Sequence, residues 1–162
     1  MAIEIERKYK VPGNDWRQSV TKTEHYRQGY LAGCKTSSVR VRITGDEAFL
    51  NIKSATLGVR RSEYDYPIPV SDAEEMLGNL CGDTIITKTR YFVPYQGMTW
   101  EIDVFDGKND GLIVAEVELE NEDQKFEIPS WIGEEVSDDP RYYNVCLVNH
   151  PYCEWGEVTT KK

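Results

Sequence analysis

Polar and apolar residues alternate with period two along most of this chain, and side chains two apart on a strand share one face. Residues 2–11 read as the first strand, with Glu4, Glu6 and Lys8 on one side and Ile3, Ile5 and Tyr9 on the other. Residues 24–32 form a second candidate, broken at Gly29. Residues 37–43 set Val39, Val41 and Ile43 against Arg40 and Arg42. A Thr44-Gly45-Asp46 turn leads into 48–53, a hairpin arrangement. Residues 60–68 carry Arg61, Glu63 and Asp65 at every second position, and 84–95, 100–105 and 112–119 continue the pattern between Asp106-Gly107 and Asp110-Gly111 turn signals.

Helical spacing occurs in two places. Ser71 and Glu74 make a capping-box pattern before an apolar stripe of Ala73, Met76, Leu77 and Leu80. Near the C-terminus, Pro129–Ile132 could open a short helix. A stronger one starts at Asp138 or Asp139, with Pro140 in its first turn and Pro151 ending it. The expected organisation is a single domain over 1–153, about eight antiparallel strands with a few helices, followed by a loosely packed tail over 154–162.

Charge narrows the function. The 28 acidic and 19 basic side chains leave a formal charge of -9, which argues against nucleic acid or an anionic membrane as a partner. It leaves room for a small anion in a locally basic pocket. The opening residues are charged and alternating rather than apolar, so no secretory signal is read there, and no apolar run is long enough to span a bilayer. Cys34, Cys81, Cys146 and Cys153 show no paired spacing, and two histidines cannot build a zinc site. Free thiols and a cytoplasmic location are expected. A metal here would be held by carboxylates, which favours a hard divalent ion.

The charges collect on one face of the strands. The acids are Glu4, Glu6, Glu63, Asp65, Glu101, Asp103, Glu116 and Glu118; the bases are Lys8, Arg40, Arg42, Lys53, Arg61, Lys88 and Arg90. Periodicity alone fits two architectures. A flat sheet could solvate this face and pair its charges across strands. A sheet closed on itself could turn the same face into a lumen. The chemistry leans toward the second. Glu4 and Glu6 have Cα atoms about 7 Å apart on one strand, as do Glu101 and Asp103, and Glu116 and Glu118. Carboxylates gathered in this way repel unless a cation intervenes, and nearby guanidinium forks match phosphate oxygens. Three acidic pairs beside Arg-x-Arg and Lys-x-Arg suit a metal–polyphosphate complex.

Glu4-Ile5-Glu6-Arg7-Lys8-Tyr9 resembles the Glu-x-Glu-x-Lys signature of the CYTH superfamily, the triphosphate tunnel metalloenzymes. Arg40-x-Arg42, Lys53, Arg61-x-Glu63, Lys88-x-Arg90, Glu101-x-Asp103 and Glu116-x-Glu118 follow in the family's order. The Pro129–Val136 stretch and Arg141-Tyr142-x-Asn144 resemble its short microbial, inorganic-triphosphatase-like branch. The resemblance implies a mainly β fold: an eight-stranded antiparallel closed tunnel with a charged interior and helices packed outside. It implies hydrolysis of a triphosphate with one or two Mg²⁺ or Mn²⁺ ions, inorganic tripolyphosphate giving pyrophosphate and phosphate. Adenylyl cyclisation and a non-catalytic polyphosphate-binding module are the alternatives. By the same resemblance, Glu4, Glu6, Glu101, Asp103, Glu116 and Glu118 are metal ligands. Lys8, Arg40, Arg42, Lys53, Arg61, Lys88 and Arg90 bind phosphate. Lys8, Glu63, Lys88 and Arg90 are the catalytic candidates, with Glu63 a candidate for orienting water. The partner is a small triphosphate, and a homodimer is left open. Many members carry a lysine in the C-terminal helix. Here no lysine occurs between Lys125 and Lys161, which leaves Arg141 as the base that could stand in.

Overall fold

The structure, a computed structural model, describes residues 3–33, 36–55 and 58–155. Cys34 and residues 156–162 lie outside the described residues. Eight strands follow in order: β1 (Ile3–Lys10), β2 (Lys22–Gly33), β3 (Ser37–Thr44), β4 (Glu47–Ser54), β5 (Arg60–Ile68), β6 (Ile85–Tyr95), β7 (Met98–Phe105) and β8 (Ile113–Glu118). Helix α1 (Val70–Asn79) joins β5 to β6, and α2 (Asn144–Leu147) lies near the C-terminus. The strands close into an antiparallel barrel in the order β1-β5-β4-β3-β2-β6-β7-β8, with β8 returning to β1. Closure gives every strand a neighbour on both sides, the shortest seam being β1 with β5, paired through Ile3–Ile5 against Arg60–Ser62.

Closure forces a choice of which face points in, and the apolar outer face decides it by what covers it. α1 packs Ala73 and Leu77 against Val41, Ile43 and Ala48 on the outside of β3 and β4. The outer sides of β1, β6, β7 and β8 present Ile5, Tyr9, Val93, Trp100, Ile102, Ala115 and Val117. Phe126, Trp131 and Ile132 from the segment after β8 cover them. Trp100 and Trp131 meet edge to face with centroids 6.0 Å apart, a geometry aromatic pairs prefer. With these surfaces buried outward, the charged parity of each strand faces the lumen.

Local departures from the sequence expectations have local causes. α1 begins at Val70 with Pro69 at its N-cap, so Ser71 sits inside the first turn and no side-chain cap forms. Proline supplies the extended backbone that starts the helix, and the expected Ser71–Glu74 box is absent. The β6–β7 hairpin turns on Gln96-Gly97, both at positive φ (48° and 80°), the conformation two-residue hairpins require. Residues 129–132 make a turn, closed by the Ile132 N–H on the Pro129 carbonyl, rather than a helix. The expected helix from Asp138 or Asp139 is divided: a 3-10 turn at Pro140–Tyr142, capped by the Asp139 side chain, then the four-residue α2. Tyr143 between them is extended (φ -75°, ψ 134°).

That break redirects the chain. Leu147 and Trp155 join a buried cluster with Tyr30, Ile86, Phe105 and Val114. Tyr30, Ile86, Phe105 and Val114 share strand parity with the charged residues, so this cluster fills the inside of one tunnel end. The C-terminal segment is therefore a plug, not a helix packed outside. Trp155 is buried, and its indole N–H donates to the His150 carbonyl at 3.0 Å. Among the described residues, no helix is long and apolar enough to cross a membrane.

Candidate active site

The lumen holds a cavity of about 210 Å³. Lys8, Arg40, Arg42, Lys53, Arg61, Lys88 and Arg90 line it, facing Glu4, Glu6, Glu63, Asp65, Glu101, Glu116 and Glu118. Seven bases thus meet seven acids.

Strand register sets who faces whom. Lys8 lies opposite Glu116, Arg90 opposite Asp103, Lys53 opposite Glu63 and Glu4 opposite Arg61. Asp103 is the deepest acid, 1% exposed. Its Oδ1 accepts from Arg90 Nε at 2.7 Å; its Oδ2 accepts from Arg90 Nη2 at 2.9 Å and from Lys88 Nζ at 2.7 Å. Burial alone would raise this carboxyl, but Arg90 and Lys88 override it and hold it below the ordinary range. Both oxygens are consumed and Asp103 does not line the cavity, so it sits beneath Arg90 rather than beside the metal cluster described below. Glu116 is similarly occupied, accepting from Lys8 and, at 2.9 Å, from Arg90 Nη2. Burial would raise it too; Lys8 and Arg90 bring it well below the ordinary value. Burial would lower Lys8, yet Glu116 and Glu6 raise it, so Lys8 keeps its proton. Burial dominates at Lys88 and pulls it down to about 7 against the attraction of Asp103. Burial likewise lifts Glu101 to about 7, although Arg90 Nη1 stands 3.1 Å from its carboxylate.

Glu4, Glu6 and Glu118 form a different group. Register places Glu6 directly opposite Glu118, a like-charge pairing that costs stability. One carboxylate oxygen from each of the three lies within 4.8 Å of the others. Glu118 is raised by burial and then by Glu4, Glu6, Glu63 and Glu116. Glu4 Oε1 is buried without a hydrogen bond, although Lys53 Nζ stands 3.3 Å away. Three converging carboxylates with an unsatisfied oxygen fit a hard divalent cation. Of the six expected ligands, these three converge, with Lys8 3.3 Å from Glu6 and Lys53 3.3 Å from Glu4, whereas Glu101, Asp103 and Glu116 lie against Arg90.

Several residues in and around the cavity carry no charge and so fall outside the charge pattern. Tyr26 lies under Arg42, Arg90 and Lys88, whose charged atoms stand 4.4, 5.0 and 5.8 Å from its ring centroid. Asn51 donates to Glu63 at 2.9 Å and to Asp65 at 3.2 Å. Gln28 and Asn144 meet inside the tunnel. Asn51 and Gln28 carry the parity of the charged residues, a usable signal, but uncharged amides do not stand out in a charge pattern. Arg141 does not enter the cavity; it pairs with Asp139 at 2.7 Å and lies over Tyr142 and Trp155.

The CYTH domain family model matches residues 2–143. The chain belongs to the CYTH family. An inorganic triphosphatase of Acetivibrio thermocellus is 46% identical over 157 residues, covering 97% of this chain and all of that protein. An inorganic triphosphatase of Nitrosomonas europaea is 39% identical over 149 residues, covering 89% of this chain and 95% of that one. The crystal structure of an inorganic triphosphatase superimposes with a TM-score of 0.65 at 34% identity, covering 91% of this chain and 95% of the other. As a CYTH protein this chain has the closed eight-stranded tunnel, and its charged faces point inward.

Proposed function

We propose that this protein hydrolyses inorganic tripolyphosphate to pyrophosphate and phosphate in a divalent-metal-dependent reaction. The observation that carries the reading is the enclosed cavity in which a basic wall faces the Glu4–Glu6–Glu118 cluster. The lining charges cancel in number, so a polyanion gains net attraction when a divalent cation tips the balance. The near-complete alignment with inorganic triphosphatases supports the same substrate.

Mg²⁺ or Mn²⁺ held by Glu4, Glu6 and Glu118 would act as a Lewis acid, neutralising charge on phosphate oxygens. Arg40, Arg42, Lys53, Arg61 and Arg90 bind the remaining oxygens in an enclosed lumen, where charge stabilisation is stronger than in bulk water. Lys8, protonated between Glu6 and Glu116, donates to a phosphate oxygen and does not serve as a base. Lys88 stands beside Arg90 on the same strand and faces the same anion. Glu63, fixed by Asn51, accepts a hydrogen bond from the attacking water. Water adds to the terminal phosphorus, the bridging P–O bond breaks, and pyrophosphate and phosphate are released. Asp103 holds Arg90 in place, and Glu101 and Glu116 shape the wall. The functional unit is a single domain through the plug. A cytoplasmic setting accords with the free thiols of Cys81, Cys146 and Cys153. A homodimer would leave this lumen complete within each subunit.

The test is a substrate panel of tripolyphosphate, thiamine triphosphate, ATP and pyrophosphate, each with Mg²⁺ and with Mn²⁺, with every product identified. Phosphate and pyrophosphate in equal amounts from tripolyphosphate are expected. Cyclic AMP from ATP would favour a cyclase. Tight binding of every triphosphate without turnover would favour a binding module.

A further inference from the structure

Two neutral amides sit among the cations of the tunnel wall. Gln28 on β2 is fully buried; Asn144, the first residue of α2, lines the cavity. Gln28 Oε1 accepts from Arg42 Nε at 3.2 Å. Gln28 Nε2 donates to Asn144 Oδ1 at 3.0 Å, and the same oxygen accepts from Lys88 Nζ at 3.0 Å. The orientation follows from chemistry. A guanidinium only donates, so the Gln28 atom facing Arg42 is its oxygen. Its NH₂ therefore faces Asn144, which has to answer with its own oxygen, and Lys88 donates to that oxygen as well.

We propose that Asn144 is a positioning residue: carried into the tunnel by the C-terminal plug, it fixes the Lys88 ammonium directly and the Arg42 guanidinium through Gln28. The inference rests on the triphosphatase reading of the same site. A carboxylate in this place would orient the two cations but cancel charge needed by the phosphates. An amide orients them and leaves their charge intact. The chain around Asn144 is built to hold a fixed position. Tyr143 Oη donates to the Ser137 carbonyl at 2.7 Å and accepts from the Gly58 N–H at 3.2 Å. Leu147, one turn along α2, is 1% exposed in the plug cluster. One amide oxygen of the plug thus reaches Lys88 directly and Arg42 through Gln28, and misplacement of the plug would be felt as misorientation of both cations.

The experiment is a set of mutant cycles read by steady-state hydrolysis of tripolyphosphate with Mg²⁺. Asn144→Leu and Gln28→Leu should each lower kcat/KM by about tenfold or more, the scale of a hydrogen bond to a charged group. The loss should fall mainly in kcat, since misaimed cations stabilise the transferring phosphoryl group poorly. The double variant should be no more than about twofold worse than the poorer single one, because both break one chain of contacts. In an Arg42→Lys background, which lacks Nε, Gln28→Leu should lose much less than it does with Arg42 present. Additive losses, an undiminished Gln28→Leu effect without Arg42, or wild-type kcat and KM in Asn144→Leu would overturn the proposal. Should Asn144→Leu fail to fold, Asn144→Ala takes its place in the cycle with Gln28→Leu. No turnover by the unmodified protein would instead overturn the triphosphatase reading. The positioning role, which rests on that reading, would fall with it, whereas turnover by the unmodified protein with an unaffected Asn144→Leu would overturn the positioning role alone.

Discussion

Asp103→Asn separates a structural acid from a metal ligand. Asp103 carries three charge-assisted hydrogen bonds at 2.7–2.9 Å, two from Arg90 and one from Lys88, and is almost wholly buried. Asparagine keeps the shape and one acceptor, loses the charge, and turns an NH₂ toward two cations. Removing one partner of a buried ion pair costs about 3–5 kcal/mol. The retained acceptor places this change near the lower end, about 3 kcal/mol. A chain of this length shifts by roughly 2–4 °C per kcal/mol, so the melting temperature should fall by roughly 6–12 °C at pH 7. The sign with pH follows from the lowered pKa of Asp103. Its contribution is present above the unfolded carboxyl value, about 3.9, and is lost as pH falls from there through the folded value. The gap between wild type and variant should therefore narrow in acid. Turnover should drop because Arg90 loses its support, yet the Mg²⁺ concentration giving half-maximal rate should move by less than about threefold. Calorimetry across pH and a Mg²⁺ titration of activity supply both readings. An unchanged melting temperature, or a large rise in the Mg²⁺ requirement, would refute the assignment of Asp103 as the support of Arg90.

Glu118→Gln removes a member of the carboxylate cluster. The Mg²⁺ requirement should rise at least about tenfold, a loss on the scale expected for a metal ligand. Stability in chelator should rise, because repulsion from Glu4 and Glu6 is relieved; an unchanged metal requirement would place the ion elsewhere. Glu101→Gln tests the carboxyl lifted to about 7. A raised carboxyl pKa disfavours the folded state above that value and has no effect below the unfolded value of about 4.3. The variant should therefore melt higher than wild type at pH 8 in chelator and match it near pH 4, checked by thermal unfolding at both. Gly29→Ala would place a Cβ 2.7 Å from Ile85 Cδ1 and 2.8 Å from Cys81 Sγ. It should cost about 1–3 kcal/mol by overpacking, visible in urea unfolding. Tripolyphosphate turnover at low temperature should stay near wild type.

The sequence determined the strands and their sidedness. Period-two alternation is a covalent property of extended backbone, so Glu4, Glu6 and Lys8 had to share a face, as did Arg40 and Arg42, wherever that face pointed. The ordered signatures also carried the family. Tertiary structure decided the rest. Direction came from closure: the apolar parity needed α1 and the Phe126–Ile132 segment as covers, and the charged parity was left inside. Partners came from register, which no single strand encodes. Asp103 and Glu118 look alike as acids on alternating strands. Register set Asp103 against Arg90, and with Lys88 beside it the carboxylate was consumed; Glu118 was set against Glu6, an acid facing an acid. Asn144 is the extreme case. Its place in the tunnel depends on Tyr143 breaking the helix and on Leu147 and Trp155 filling the barrel end, contacts between parts of the chain more than a hundred residues apart. Charge patterning detects charges; a neutral amide that orients them becomes visible only when the chain has folded around it.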